Sequence, residues 1–127
     1  MKVTWLGAGT MLIESGQEQI MFDPFIQLPG GEHPTDLNVF AQAKNVFVTS
    51  GRLSHLSSVP ELIAATDMLV HCDQGAATTL IKMGVSMKQI RSIHQGDIIP
   101  VGEMQIKPLK GKFVGFGPFM ILKTVVN

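Results

Sequence analysis

Residues 46–55 read Val46-Phe-Val-Thr-Ser-Gly-Arg-Leu-Ser-His55, and the rest of the chain is best understood outward from them. The run from Asn45 to Thr49 is short, apolar and β-branched, as in a strand buried on both faces. It passes into a loop with polar side chains at Ser50, Arg52, Ser54 and His55. A strand feeding such a loop is where a hydrolase could hold metal ions, yet most of these side chains cannot hold one. The loop therefore either carries unusual chemistry or has lost its chemistry.

Toward the N-terminus, "KVTWLGAGTMLIESGQEQIMFDP" predicts three short strands. Val3 and Trp5 alternate with Lys2 and Thr4, which suits a sheet with one buried face. "TMLIE" is a second strand, Ser15-Gly16 a turn, and "QIMF" a third strand ending at Asp23-Pro24. Residues 27–36 hold two prolines and two glycines and read as a loop.

Toward the C-terminus, Ser58-Val-Pro-Glu61 fits a capping box with proline in the first helical turn. Val59, Leu62, Ile63 and Thr66 continue it as an apolar stripe. "MLVH" at 68–71 predicts another buried strand. Asp73 can cap a helix from about Gln74 to Met83, with Ala77, Leu80 and Ile81 inward and Gly84 ending it. Beyond it, "QIRSI", "DIIPV", "MQIKPL" and "FMILKTVV" read as strands joined by turns. The order, a β-meander then βαβα then more strands, implies one mixed α/β domain over residues 1–127 with helices on one face of a sheet.

Composition narrows the partners. The chain has 127 residues, enough to bury a core, and 45% hydrophobic against 16% charged residues argues against disorder. Ten basic residues balance ten acidic ones without forming a run, so nothing favours nucleic acid or an anionic membrane as a partner. Cys72 is the only cysteine, which excludes an internal disulfide and fits a reducing compartment. The opening residues lack the apolar core of a signal peptide, and the expected location is cytoplasmic. Mean hydropathy is high, at +0.26.

"VTWLGAGTML" imitates a dinucleotide-binding fingerprint through Gly7 and Gly9. Position 12 is Leu where close helix–strand packing needs a small residue, and the following residues read as strand. A glycine-rich bend is the better reading.

A two-zinc hydrolase asks more of a strand-end loop. Histidines at i and i+2 converge on one ion; an aspartate at i+4 and a histidine at i+5 serve its neighbour, and the metals acidify a bound water. On this pattern the sequence resembles the metallo-β-lactamase superfamily, most closely its sugar-phosphate (ascorbate-6-phosphate) lactonase-like branch. "VTWLGAGTMLIES" is similar to the opening strand pair, "IMFDPF" to the third strand, and "VFVTSGRLSHLSSVPEL" to the metal loop and following helix. "VHCDQGAATTLIKMGV" and "HQGDIIPVGEMQIKPL" resemble the next helix and hairpin.

The resemblance implies half of a four-layer αββα sandwich, with the family's later aspartate and histidine ligands not in this chain. It also implies that the four ligand positions are Ser50, Arg52, Ser54 and His55, of which only His55 can ligate. Serine is a poor neutral zinc ligand, and a guanidinium opposes a dication. Ala8 stands where the branch usually has a histidine, and Lys110-Gly-Lys112 where a further ligand falls. No cofactor is therefore expected; zinc or manganese would need ligands from another chain.

Other residues have plainer readings. Arg52 beside Ser50, Ser54 and His55 could bind a small carboxylate or phosphate, or else make a salt bridge that fills the vacated space. His71 and Cys72 are adjacent on a strand, so they face opposite ways and cannot pair as nucleophile and base. Asp23 is expected to organise its turn, His33 and His94 to be solvated, and the eight methionines to fill core gaps. Lys107, Lys110 and Lys112 form a patch too small for nucleic acid.

The expected protein is a half-length, non-catalytic binding or assembly module, a homodimer through its uncovered apolar face or a partner of a complementary C-terminal half. The alternative is a lactonase-like metal-dependent hydrolase completed by such a half; a decayed gene fragment is a third reading.

Overall fold

The computed structural model describes residues 1–6, 9–25, 42–49, 56–64, 66–110 and 118–124. Among these, six strands form one sheet in the order of the chain: β1 (Lys2–Trp5), β2 (Met11–Ser15), β3 (Glu18–Phe22), β4 (Asn45–Phe47), β5 (Leu69–Cys72) and β6 (Ile90–Ser92). The first three run antiparallel, and β3 to β6 are parallel. Helix α1 (Val59–Ala64) lies between β4 and β5 in the chain, and α2 (Gln74–Lys82) between β5 and β6. A second, antiparallel sheet holds β7 (Ile99–Val101), β8 (Met104–Lys110) and β9 (Pro118–Thr124).

Side-chain alternation sorts the first sheet into two faces. Leu12, Met21, Val46, Val70 and Cys72 point to the helix side and pack with Leu62 and Ile63 of α1 and Ala76, Ala77 and Leu80 of α2. Ile13, Ile20 and Phe47 point the other way, against Val101, Met104 and Ile106 of the second sheet. The result is three layers, helices, wide sheet and narrow sheet, with an apolar core in each gap. The mixed sheet with helices on one face is as the sequence implied.

Local chemistry fixes the ends of α2. Asp73 accepts the Ala76 N–H at 2.7 Å through Oδ1, satisfying an otherwise unpaired donor of the first turn. At the other end Gly84 adopts φ +97°, and Val85 N–H reaches Leu80 O while Gly84 N–H reaches Ile81 O. That reversed pair of bonds is a Schellman ending. Gly102, at φ +58°, has a packing role as well: a Cβ there would stand 2.5 Å from Glu18 Cγ, so a larger residue in the β7–β8 turn would have to displace the Glu18 side chain on β3.

Four sequence expectations change. Val3 and Trp5 are not buried; they are 49% and 69% exposed, and neither belongs to the described cluster between the two sheets. Regular pairing of β4 stops at Phe47 rather than Thr49, since Thr49 turns its N–H to a side chain. Ile81 is 41% exposed and Ala76 takes its place inward, so the buried stripe of α2 is narrower than expected. Thr66 lies beyond the end of α1, and its hydroxyl donates back to Leu62 O at 2.9 Å.

Candidate functional site

The carboxyl ends of β3 and β4 are joined by one buried acid. Asp23 follows β3 with φ +48°, a left-handed conformation that costs an ordinary residue on the order of 1 kcal/mol. Its surroundings hold it there. Its N–H donates to Phe47 O at 2.9 Å, extending the β3–β4 ladder by one bond. Its carboxylate accepts twice from Thr49, from the N–H at 2.8 Å and from the hydroxyl at 2.6 Å. Thr10, fully buried in the β1–β2 connection, donates its hydroxyl to Asp23 O at 2.7 Å and accepts the Phe25 N–H at 2.9 Å.

These bonds set the root of the loop singled out in the sequence. Thr49 immediately precedes Ser50, and Leu56, fully buried, follows His55. Thr49 and Leu56, on either side of residues 50–55, are each held in place. Ser50, Arg52, Ser54 and His55 themselves lie outside the described residues, as do Ala8, His33 and the side chains of Lys110 and Lys112. Their chemistry still tests the fit of a metal: one imidazole among two hydroxyls and a guanidinium does not make a zinc ligand set.

A second buried polar group sits mid-sheet. His71 Nε2 lies 2.9 Å from Asn45 Oδ1, and its ring stacks on Phe47 at 4.4 Å between centroids, with Phe22 on the far side of Phe47 at 5.5 Å. The three rings are in register across β3, β4 and β5. Burial, helped by the Arg91 charge, lowers the His71 pKa to about 4, so the imidazole is neutral at physiological pH. Cys72 points to the helix-side core, where burial and then the Asp73 charge push its thiol up to about 12. The two neighbours face opposite layers, and no Cys–His pair forms. His94 is exposed, with its N–H bonded to Asp97 Oδ2 at 2.7 Å.

At the opposite end of the sheet, a cavity of about 490 Å³ opens among Ala43, Lys44, Asn45 and the Thr66–Leu69 segment. Two of its polar side chains are engaged, Asn45 by His71 and Thr66 by Leu62 O, and it lies at the amino ends of β4 and β5, away from the Asp23 anchor.

Comparison with known proteins fixes the architecture. No family model matches the chain. A UPF0173 metal-dependent hydrolase of Rhizobium etli is 29% identical over 103 residues, 80% of this chain and 43% of the relative. Its counterpart in Rhizobium johnstonii is 28% identical over the same shares. A metallo-hydrolase of the archaeon Ignicoccus hospitalis superposes with a TM-score of 0.70 at 16% identity, covering 96% of this chain and 55% of that one. The metallo-β-lactamase SMB-1 gives 0.70 at 15% identity over 93% and 54%. The fold is the metallo-β-lactamase fold. A flavo di-iron protein of Thermotoga maritima shares it, with a TM-score of 0.70 at 12% identity over 91% of this chain and 30% of that one.

The chain spans less than half the length of the curated relatives it matches. Within the metallo-β-lactamase fold, the Asp23–Thr49–Thr10 cluster is the part of the site that sequence reading missed in detail. Asp23-Pro24 was visible as a turn, but nothing in the sequence says that its acid bonds a threonine 26 residues away. Among the described residues, no helix is long and apolar enough to cross a membrane.

Proposed function

We propose that this chain is a non-catalytic binding or assembly module built on part of a metallo-hydrolase fold, close to the lactonase-like branch. The observation that carries the reading is the contrast between an anchored loop root and a loop without ligands. Asp23 and Thr10 hold Thr49 in place, yet the positions that follow are Ser50, Arg52 and Ser54, with His55 the one side chain able to ligate. Water activation by zinc needs three or four donors converging on the ion.

The same loop offers a different chemistry. A guanidinium at Arg52 between two hydroxyls and an imidazole suits a small carboxylate or phosphate, which it can hold bidentately. The assembly role rests on the exposed apolar edge at β1, and the partner is a second copy or a complementary half. The lone, buried Cys72 suits a reducing, cytoplasmic setting.

Metal analysis of the purified protein tests the non-catalytic reading: substoichiometric zinc and manganese are expected, and one ion or more per chain would overturn it. Titration calorimetry with sugar phosphates tests the anion pocket, which is lost if Arg52→Ala leaves binding unchanged. The second reading, a metal-dependent hydrolase completed by another polypeptide, is favoured by the names of the Rhizobium relatives. It requires metal uptake that appears only when the completing polypeptide is present.

A further inference from the structure

The segments that lead into β4 and β5 meet at the end of the strands opposite Thr49. Leu69 N–H donates to Lys44 O at 2.9 Å, and the two strands then run parallel from Asn45 and Leu69. The cavity of about 490 Å³ opens where they begin, and its size falls within the range of small-molecule pockets.

Three of its side chains carry chemistry that the fold leaves unused. Lys44 and Asp67, both exposed, line the cavity from the β4 and β5 sides, and neither forms an ion pair among the described residues. Two opposite charges thus face one space without neutralising each other. Asn45 gives its Oδ1 to His71, and its amide N–H2 group has no protein partner among the described residues. Ala43 and Met68, both buried with the helix-side core, add an apolar wall.

Each group narrows the ligand. An ammonium on the flexible lysine stem and an amide N–H2 suit a carboxylate. Asp67 suits a cationic group and opposes additional negative charge, which disfavours phosphates. The methyl and thioether surface of Ala43 and Met68 suits an aliphatic side chain. A molecule that combines the three features is an α-amino acid with an apolar side chain.

We propose that the cavity at the amino ends of β4 and β5 binds a free aliphatic α-amino acid, its carboxylate held by Lys44 and Asn45 and its ammonium by Asp67. The site is separate from the Arg52 loop and takes a different class of ligand. Asn45 joins the cavity to His71, so the His71 ring reports occupancy from the layer between the sheets.

Titration of the isotope-labelled chain with L-leucine, followed by heteronuclear NMR, tests the assignment. Saturable shifts are expected at the Lys44 and Leu69 amides and at the Asn45 side-chain amide, with the His71 ring following. Isocaproate, which lacks the ammonium, and isopentylamine, which lacks the carboxylate, should each bind several-fold more weakly. Lys44→Gln and Asp67→Asn, changed at exposed positions, should keep the circular dichroism spectrum and weaken leucine binding several-fold. Asp67→Asn should also erase the preference for leucine over isocaproate, and Lys44→Gln the preference over isopentylamine. No saturation at about 10 mM leucine overturns the proposal. Shifts that cluster at Thr49 overturn it as well, as do variants that bind leucine like the unaltered chain, or inorganic phosphate that binds the cavity more tightly than leucine. Metal content does not enter the readout, so a zinc-loaded protein would remove the non-catalytic reading while leaving this result to stand or fall separately.

Discussion

Two buried polar groups tie strands of the same sheet together, and they do different work. Asp23 spends its carboxylate on the main chain and hydroxyl of Thr49, at the root of a loop. His71 meets a side chain, Asn45, and otherwise behaves as a flat ring in a stack with Phe47 and Phe22. The first fixes where a segment leaves the sheet; the second fills the gap between sheets. A perturbed titration marks His71, but geometry marks Asp23 as the residue that positions a site. Perturbed ionisation alone would have pointed to the wrong place.

The contrast can be broken by mutation. Asp23→Ala should be the most damaging change, because it strands both Thr49 donors and leaves alanine in a left-handed conformation. The expected loss is about 3 kcal/mol or more in urea denaturation, with Asp23→Asn retaining part of it. A loss below about 1 kcal/mol would mean that the cluster does not hold the loop root.

His71 predicts a pH dependence. Its folded pKa of about 4 lies below the ordinary 6.5, so on acidification the unfolded chain takes up the proton first. Stability is full above pH 6.5 and is lost as pH falls toward 4, by at most about 3 kcal/mol. His71→Gln, which can keep a bond to Asn45, should flatten that part of the profile in denaturation measured at several pH values.

Smaller effects sharpen the same comparison. Gln89 Nε2 lies within hydrogen-bond reach of Ile63 O, in the last turn of α1, and of Thr66 O and Met68 O beyond it. Gln89→Ala should cost about 1–2 kcal/mol by removing the donor shared by Thr66 O and Met68 O, while Ile63 O keeps the Thr66 N–H. Asp73→Ala removes the α2 cap and should cost about 1 kcal/mol, measured by thermal melting. Neither should change the pH profile that His71 sets.

Much of the fold was legible because local chemistry and periodicity agree. Asp73 and Gly84 bound α2 as capping and left-handed termination require. The period-two alternation of β2 and β3 separates Leu12 and Met21 from Ile13 and Ile20, and His71 and Cys72 face opposite layers as strand geometry demands. The metallo-β-lactamase likeness came from the order of several weak motifs. The reading faltered where burial depends on what lies across a gap: Val3 and Trp5 have the pattern of a buried face, and Ile81 that of an inward stripe.

The sequence by itself determined most of the elements and their order, because these follow from residue type and spacing over a few positions. Only the tertiary structure decided that Asp23 anchors Thr49, that His71 is a neutral stacked ring, and that Trp5 is exposed. Each of those depends on distance between segments far apart in the chain, and a local pattern carries no record of that distance.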